Sequence, residues 1–191
     1  MPTAMDVANF FIDFFKDSED PMTPLRVEKF VYEAQAWSLV KLGKPLFEEE
    51  IEAWKYGPVI PSVYNRLNPY GKDQIYDTVG ELSGAEFTYE QKMLLIDVAR
   101  KLSRYSTRGL IERMHAQGGP WATVYREGEN REISKTSMRS YYAEYERLAG
   151  FDMENALEKH RHVWPRDSAG NTLVPHDLDA MNHGPYGSKF V

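Results

Sequence analysis

Between Ile51 and Pro61 the chain reads Ile51-Glu52-Ala53-Trp54-Lys55-Tyr56-Gly57-Pro58-Val59-Ile60-Pro61, and two aromatics, a glycine and two prolines in so short a span leave the backbone few options. Alternation puts Ile51, Ala53 and Lys55 on one side of a short strand and Glu52, Trp54 and Tyr56 on the other. Proline at 58 fixes its own φ and disfavours the right-handed helical region at Gly57, so the strand is expected to end there in a turn. Pro61 lacks a backbone donor and suits a first helical position, after which Val63, Tyr64 and Leu67 share one helical face. The stretch therefore predicts a junction of strand, turn and helix.

Two helices precede it. Thr3 is placed to cap the first, with Asp6 three residues on, and Val7, Phe10, Phe11, Phe14 and Phe15 form its apolar stripe. After the polar link Asp17 to Pro21, Thr23 and Pro24 supply a cap and a first helical residue for a second helix over about 24–42, closed by Gly43. This helix carries one stripe of Val27, Phe30, Val31, Ala34 and Trp37 and another of Leu25, Tyr32, Ala36 and Leu39. A surface helix shows a single stripe, so this one is expected at the centre of the fold.

Downstream, Asn68 to Asp73 reads as a turn and Gln74 to Gly80 as a short strand. Thr88 and Gln91 form a capping box for a helix to about Arg104, with Leu94, Leu95, Val98, Leu102 and Tyr105 in line. Ser106 or Thr107 starts a helix with Leu110, Ile111 and Met114 inward, and Gly118-Gly119-Pro120 ends it. Ser134 caps another, with Ile133 and Met138 at staple spacing and Met138, Tyr141, Tyr142, Tyr145 and Leu148 along its face. The expected fold is mainly α, a single helical bundle around the second helix with a small β element near 48–57. Residues 1–150 form the expected domain and 151–191 an extension, with a helix from Asp152 to about Val163 and then an irregular tail dense in Pro, Gly, Asn and Asp.

Composition narrows the function. With 191 residues and 42% hydrophobic content the chain can bury one sizeable core. A net charge of −6 argues against a general nucleic-acid binder, which carries a basic face. The absence of cysteine excludes disulfides, iron–sulfur clusters and thiol nucleophiles, and fits a cytoplasmic setting. No apolar run reaches the length of a membrane span.

Catalytic signatures are missing. His160, His162, His176 and His183, with Asp167, Asp177 and Asp179, are the candidate ligands for a metal-dependent hydrolase, but none of the usual ligand pairings appears among them. Phosphate-loop, dinucleotide and nucleophile-elbow patterns are absent. A DNA-binding regulator would use Arg100, Lys101, Arg104, Arg108 and Arg113, yet the helices bearing them show core stripes and no polar run for reading bases. His115 is expected to pack and hydrogen-bond, against Pro120-Trp121, and to have no catalytic part. These residues call for no enzyme, no cofactor and no metal, and an interaction protein remains.

The run Met22-Thr23-Pro24-Leu25-Arg26-Val27-Glu28-Lys29-Phe30-Val31-Tyr32-Glu33-Ala34-Gln35-Ala36-Trp37, followed by Gly43-Lys44-Pro45-Leu46-Phe47, Ala53-Trp54-Lys55-Tyr56-Gly57-Pro58-Val59, His115 and Pro120-Trp121, resembles the Panacea domain of SocA-like antitoxins, also met in phage-associated GepA-type proteins. The similarity runs from about Met5 to Tyr145. The chain departs from that pattern in its C-terminal extension and at Val27 and Phe30, where leucines are usual. The resemblance implies an antitoxin that neutralises a cognate protein toxin by direct contact or by presenting it to a cellular protease, with Thr23, Pro24, Trp37, Gly57, Pro58, His115, Pro120 and Trp121 as its structural motif. Partner contact is expected on Trp54, Lys55 and Tyr56, with Glu48, Glu49 and Glu50 steering a basic surface. Nothing in the sequence sets the toxin's identity or the oligomeric state.

Overall fold

The second helix, α2 (Pro24–Lys41), is covered on every side in a computed structural model that describes residues 1–149. Before it lies α1 (Ala4–Phe15), and after it come β1 (Glu52–Trp54), β2 (Gly57–Val59), α3 (Pro61–Leu67), α4 (Tyr89–Leu102), α5 (Thr107–Met114), α6 (Pro120–Val124), β3 (Arg131–Glu132) and α7 (Lys135–Ala149). The described residues thus form a mainly helical fold with one small antiparallel sheet, in the order β2, β1, β3. The predicted helix from Asp152 and the histidines at 160, 162, 176 and 183 lie outside the described residues.

Apart from the half-buried Leu25, the two apolar stripes of α2 are buried as expected, but so are the polar residues between them. Arg26, Glu28, Lys29, Glu33, Gln35 and Ser38 are all at most 3% exposed. A buried polar group without a partner costs about 1–3 kcal/mol, so each must be answered from a neighbouring segment. Gln35 answers the chain that follows its own helix: its Nε2 donates to Phe47 O at 2.8 Å and its Oε1 accepts from Leu46 N at 2.8 Å. Ser38 Oγ donates to Lys44 O. Arg26 donates to the backbone carbonyl of Tyr105 at 2.9 Å. Helix α2 is held by directional bonds on the faces its hydrophobic stripes leave over.

Around it the helices assemble much as their stripes direct. Thr3 and Asp6 form a capping box at the start of α1, whose Phe11 and Phe15 meet Phe30 edge to face at 5.3 and 5.6 Å. Thr88 and Gln91 do the same for α4, which stops at Leu102 rather than Arg104 and leaves Tyr105 41% exposed. Ile133 and Met138, both buried, flank the cap Ser134, and Tyr142 of α7 stands perpendicular to Trp37 at 5.3 Å. Thr23 has the extended backbone of a cap but makes no side-chain cap bond, so Pro24 alone shapes the start of α2. Helix α5 stops at Met114 with His115 as its C-cap, short of the glycines expected to end it; Gly119 instead caps the short helix α6, which Pro120 opens.

Two strand expectations are corrected. The strand that alternation suggested through Tyr56 stops at Trp54: Lys55 and Tyr56 are the two-residue turn of a hairpin, and Gly57–Val59 is its return strand. Among the described residues no residue other than glycine has positive φ, so the turn's left-handed position falls to Gly57, at φ 104°. Pro58 is accommodated because β2 lies at the edge of the sheet. The strand expected from Gln74 to Gly80 is reduced to one bridge, Met22 to Ile75. That segment is held by side chains of α1 instead: Asn9 exchanges two hydrogen bonds with the backbone of Val79, and Asp6 accepts from both N and Oγ of Ser83.

Among the described residues no helix is long and apolar enough to cross a membrane. Replacing Gln35 with leucine keeps the volume but strands the buried Leu46 N–H and Phe47 C=O. The expected loss is about 2–6 kcal/mol of unfolding free energy, from two groups at about 1–3 kcal/mol each, measured by urea denaturation.

Candidate functional site

Of the motif residues, Gly57, Pro58, His115 and Trp121 meet at the hairpin, whereas Thr23 and Pro24 start α2 and Trp37 packs on Tyr142. Glu28 and Lys29, adjacent on α2, grip the two ends of its return strand: Lys29 Nζ donates to Pro58 O at 2.7 Å, and Glu28 Oε2 accepts from Ile60 N at 2.8 Å. Burial pushes the Glu28 carboxyl up and the Lys29 ammonium down, while each charge supports the other. Two ionisable groups so deeply buried are tolerated because they answer each other and the strand's backbone.

Gly57 is required twice at this point. Its φ of 104° disfavours any side chain, and a β-carbon there would sit 3.2 Å from Lys29 Nζ and 3.7 Å from His115 Nε2. His115 does pack on Trp121 as expected, ring on ring at 3.7 Å and 12° between planes. Its Nε2 is buried without a hydrogen-bond partner among the described residues. Burial, with the Lys29 charge added, lowers its pKa below the ordinary value and favours the neutral ring. Trp121 continues the stack to Tyr125 at 4.4 Å, and its Nε1 donates to Trp54 O at 2.8 Å. Glycine, proline, histidine and tryptophan of the motif are therefore one clamp on the hairpin.

What the clamp presents differs from simple alternation. Tyr56, at the turn, is 60% exposed, with Lys55 Nζ 5.8 Å from its ring centre. Trp54 is half-buried, packed on Tyr64 at 4.7 Å and bonded through Nε1 to Glu52. The acidic run is partly engaged within the fold: Glu49 Oε1 accepts from Ala4 N at the start of α1, and Glu48 pairs with Lys135 at 3.2 Å. Glu50 is exposed.

A second polar centre, which periodicity could not show, joins α2, α5 and α7. Glu33 accepts from Arg113 Nε and Tyr142 OH at 2.9 Å each and from Trp37 Nε1 at 3.0 Å. Burial opposes the Arg113 charge, but Glu33 and Tyr145 more than offset it and hold its pKa above the usual value. Of the basic cluster, Arg113 therefore faces inward, Lys101 pairs with Asp97 and Arg108 with Glu112. Among the described residues no group of three or more His, Asp or Glu side chains could hold a metal ion.

The hairpin therefore presents an exposed aromatic turn on a buried clamp. Comparison with known proteins places this architecture in a family. The family model for "Antitoxin SocA-like, Panacea domain" matches residues 27–122, from the first turn of α2 to the residue after Trp121. Antitoxin SocA from Caulobacter vibrioides (strain NA1000 / CB15N) is 30% identical over 135 residues, covering 63% of this chain and 69% of that one. The chain belongs to the SocA-like Panacea family. No solved structure matches it significantly.

Two outcomes test the clamp. Gly57→Ala should lose about 2 kcal/mol or more, from a positive φ and contact with Lys29 together, as read by chemical denaturation. His115 should make stability depend on pH with a definite sign. Because its folded pKa is depressed, the unfolded chain binds more protons just below about 6.5, so its contribution is full above that pH and is lost as pH falls towards the folded value. The difference in pH slope between wild type and His115→Gln, by urea midpoints, isolates it.

Proposed function

We propose that this chain is the antitoxin of a bacterial or prophage toxin–antitoxin pair and neutralises a cognate protein toxin by direct contact through the tip of its hairpin. The observation that carries the site is Tyr56, 60% exposed on a turn whose return strand is fixed from behind by Glu28 and Lys29. An exposed aromatic on a pre-organised support gains contact area without the entropic cost of ordering a loop. Family membership supports the antitoxin role. The role is stoichiometric binding without catalysis or cofactor, in the cytoplasm.

Within the proposed contact surface the residues have different parts. Tyr56 and Lys55 are the anchor. Trp54 supports the turn through Tyr64 and Trp121. Glu50 is the steering acid, since Glu48 and Glu49 have partners inside the fold.

The test is co-purification with the product of the adjacent reading frame, followed by binding kinetics. Tyr56→Ala should melt like wild type and weaken the complex by about 2 kcal/mol, chiefly through faster dissociation. Glu50→Lys should slow association and flatten its salt dependence, with little change in dissociation. Trp54→Ala should lower the melting temperature along with binding. A Tyr56→Ala protein that binds and neutralises fully would move the site elsewhere. Neutralisation that disappears in a host lacking the relevant protease, with binding intact, would assign the chain to delivery of the toxin for proteolysis.

A further inference from the structure

In a chain of net charge −6, residues 100–113 carry Arg100, Lys101, Arg104, Arg108 and Arg113 against the single acid Glu112. The surface they help to build is continuous. Lys101 Nζ stands 5.9 Å from the Trp37 ring centre, Trp37 lies 6.2 Å from Tyr145, and the Arg113 guanidinium is over Tyr145 at 4.9 Å and Tyr105 at 6.0 Å. Tyr105 and Tyr145 are 41% and 36% exposed. Arg113 cannot swing away, since Glu33 holds its Nε and Tyr145 OH accepts from its Nη1.

Four of the cations here, Lys41, Lys101, Arg108 and Arg113, are paired with acids, and Arg104 adds charge beyond those pairs. Burial lowers the pKa of Arg100 and of Lys101; Asp97 opposes the shift in both, while Arg104 adds to it at Arg100, and Lys41 and Arg100 add to it at Lys101. The acids that reach the surface are already committed: Asp97 to Lys101, Glu112 to Arg108, Glu146 to Lys41 and Glu33 to Arg113. Among the described residues Arg104 has no ion pair, and both it and Arg108 are exposed. Partly exposed tyrosines fixed around a guanidinium, with exposed cations at the rim, match the residue types that dominate protein–protein contacts.

We infer that the face formed by Tyr105, Arg113 and Tyr145, with Arg104 and Arg108 at its rim, is a second docking surface, for an acidic segment of a protein partner. It shares no residue with the hairpin tip and stands whether or not the tip binds a toxin. Nucleic acid is the weaker occupant. The chain as a whole is acidic, and α5 spans only eight residues with Leu110 and Met114 buried, so α5 is not free to enter a groove.

The test uses the full chain and a fluorescein-labelled polyglutamate peptide carrying two tyrosines, with anisotropy read at low and at physiological salt. Saturable binding is expected, weakened about tenfold or more by Arg104→Glu combined with Arg108→Glu. Tyr105→Ala should weaken it about fivefold while leaving the salt dependence unchanged, because an aromatic contact does not depend on counterions. Both variants should melt like wild type, since the altered side chains are exposed. The inference is overturned by absence of saturable binding, by equal binding of the variants, or by a short duplex DNA that displaces the peptide at equal or lower concentration.

Discussion

Burial of the polar side chains of α2 is the constraint on which the rest of the molecule depends. A helix surrounded on all sides usually presents apolar residues all round; this one presents arginine, glutamate, lysine, glutamine and serine to the interior. Each gap in its hydrophobic surface is filled by a bond to a different segment, so the helix locates its neighbours as well as gathering them. Gln35 sets the path of the chain leaving α2, Glu28 and Lys29 set the hairpin, Arg26 reaches the end of α4, and Glu33 fixes α5 and α7. Hydrophobic packing gives cohesion; these bonds give a single arrangement.

Seen this way, the hairpin is a rigid projection from the core rather than a loop. Its return strand ends at backbone groups held by a buried acid and a buried base, and its first strand is braced through Trp54 O by Trp121. The exposed Tyr56 inherits that rigidity. A binding anchor of this kind keeps its geometry in the free protein, the condition under which buried area converts most efficiently into affinity.

Much of this was legible in the sequence. The stripes and caps at Thr3, Thr88, Ser106 and Ser134 located the helices because amphipathic period and capping chemistry are local properties. The same locality explains what was missed. Alternation from Ile51 to Tyr56 fitted a longer strand, and only tertiary pairing of Trp54 with Gly57 shows that Lys55 and Tyr56 are the turn. The polar residues of α2 lay outside both stripes and drew no expectation of burial, since a buried polar side chain is recognisable only once its distant partner is known. His115 was read correctly as a packing residue against Trp121, but its approach to Lys29 and Gly57 depends on three segments meeting. Glu48 and Glu49 read as a free acidic run until Lys135 and the amide of Ala4 were found beside them.

The Glu33 centre bears on how the protein is made. Glu33 belongs to a helix near the beginning of the chain, whereas Arg113 and Tyr142, which satisfy it, are separated from it by 80 and 109 residues. At ribosomal speeds of roughly 5–20 residues per second, several seconds pass between the appearance of the acid and that of its last partner. During that interval α2 can form as a helix but cannot close its interior, and Trp37, which waits for the ring of Tyr142, stays uncovered. Completion of the fold is therefore tied to emergence of the last described helix from the ribosome. A nascent chain that ends before Arg113 lacks the guanidinium that pairs Glu33, and one that ends before Tyr142 lacks the hydroxyl that completes the set.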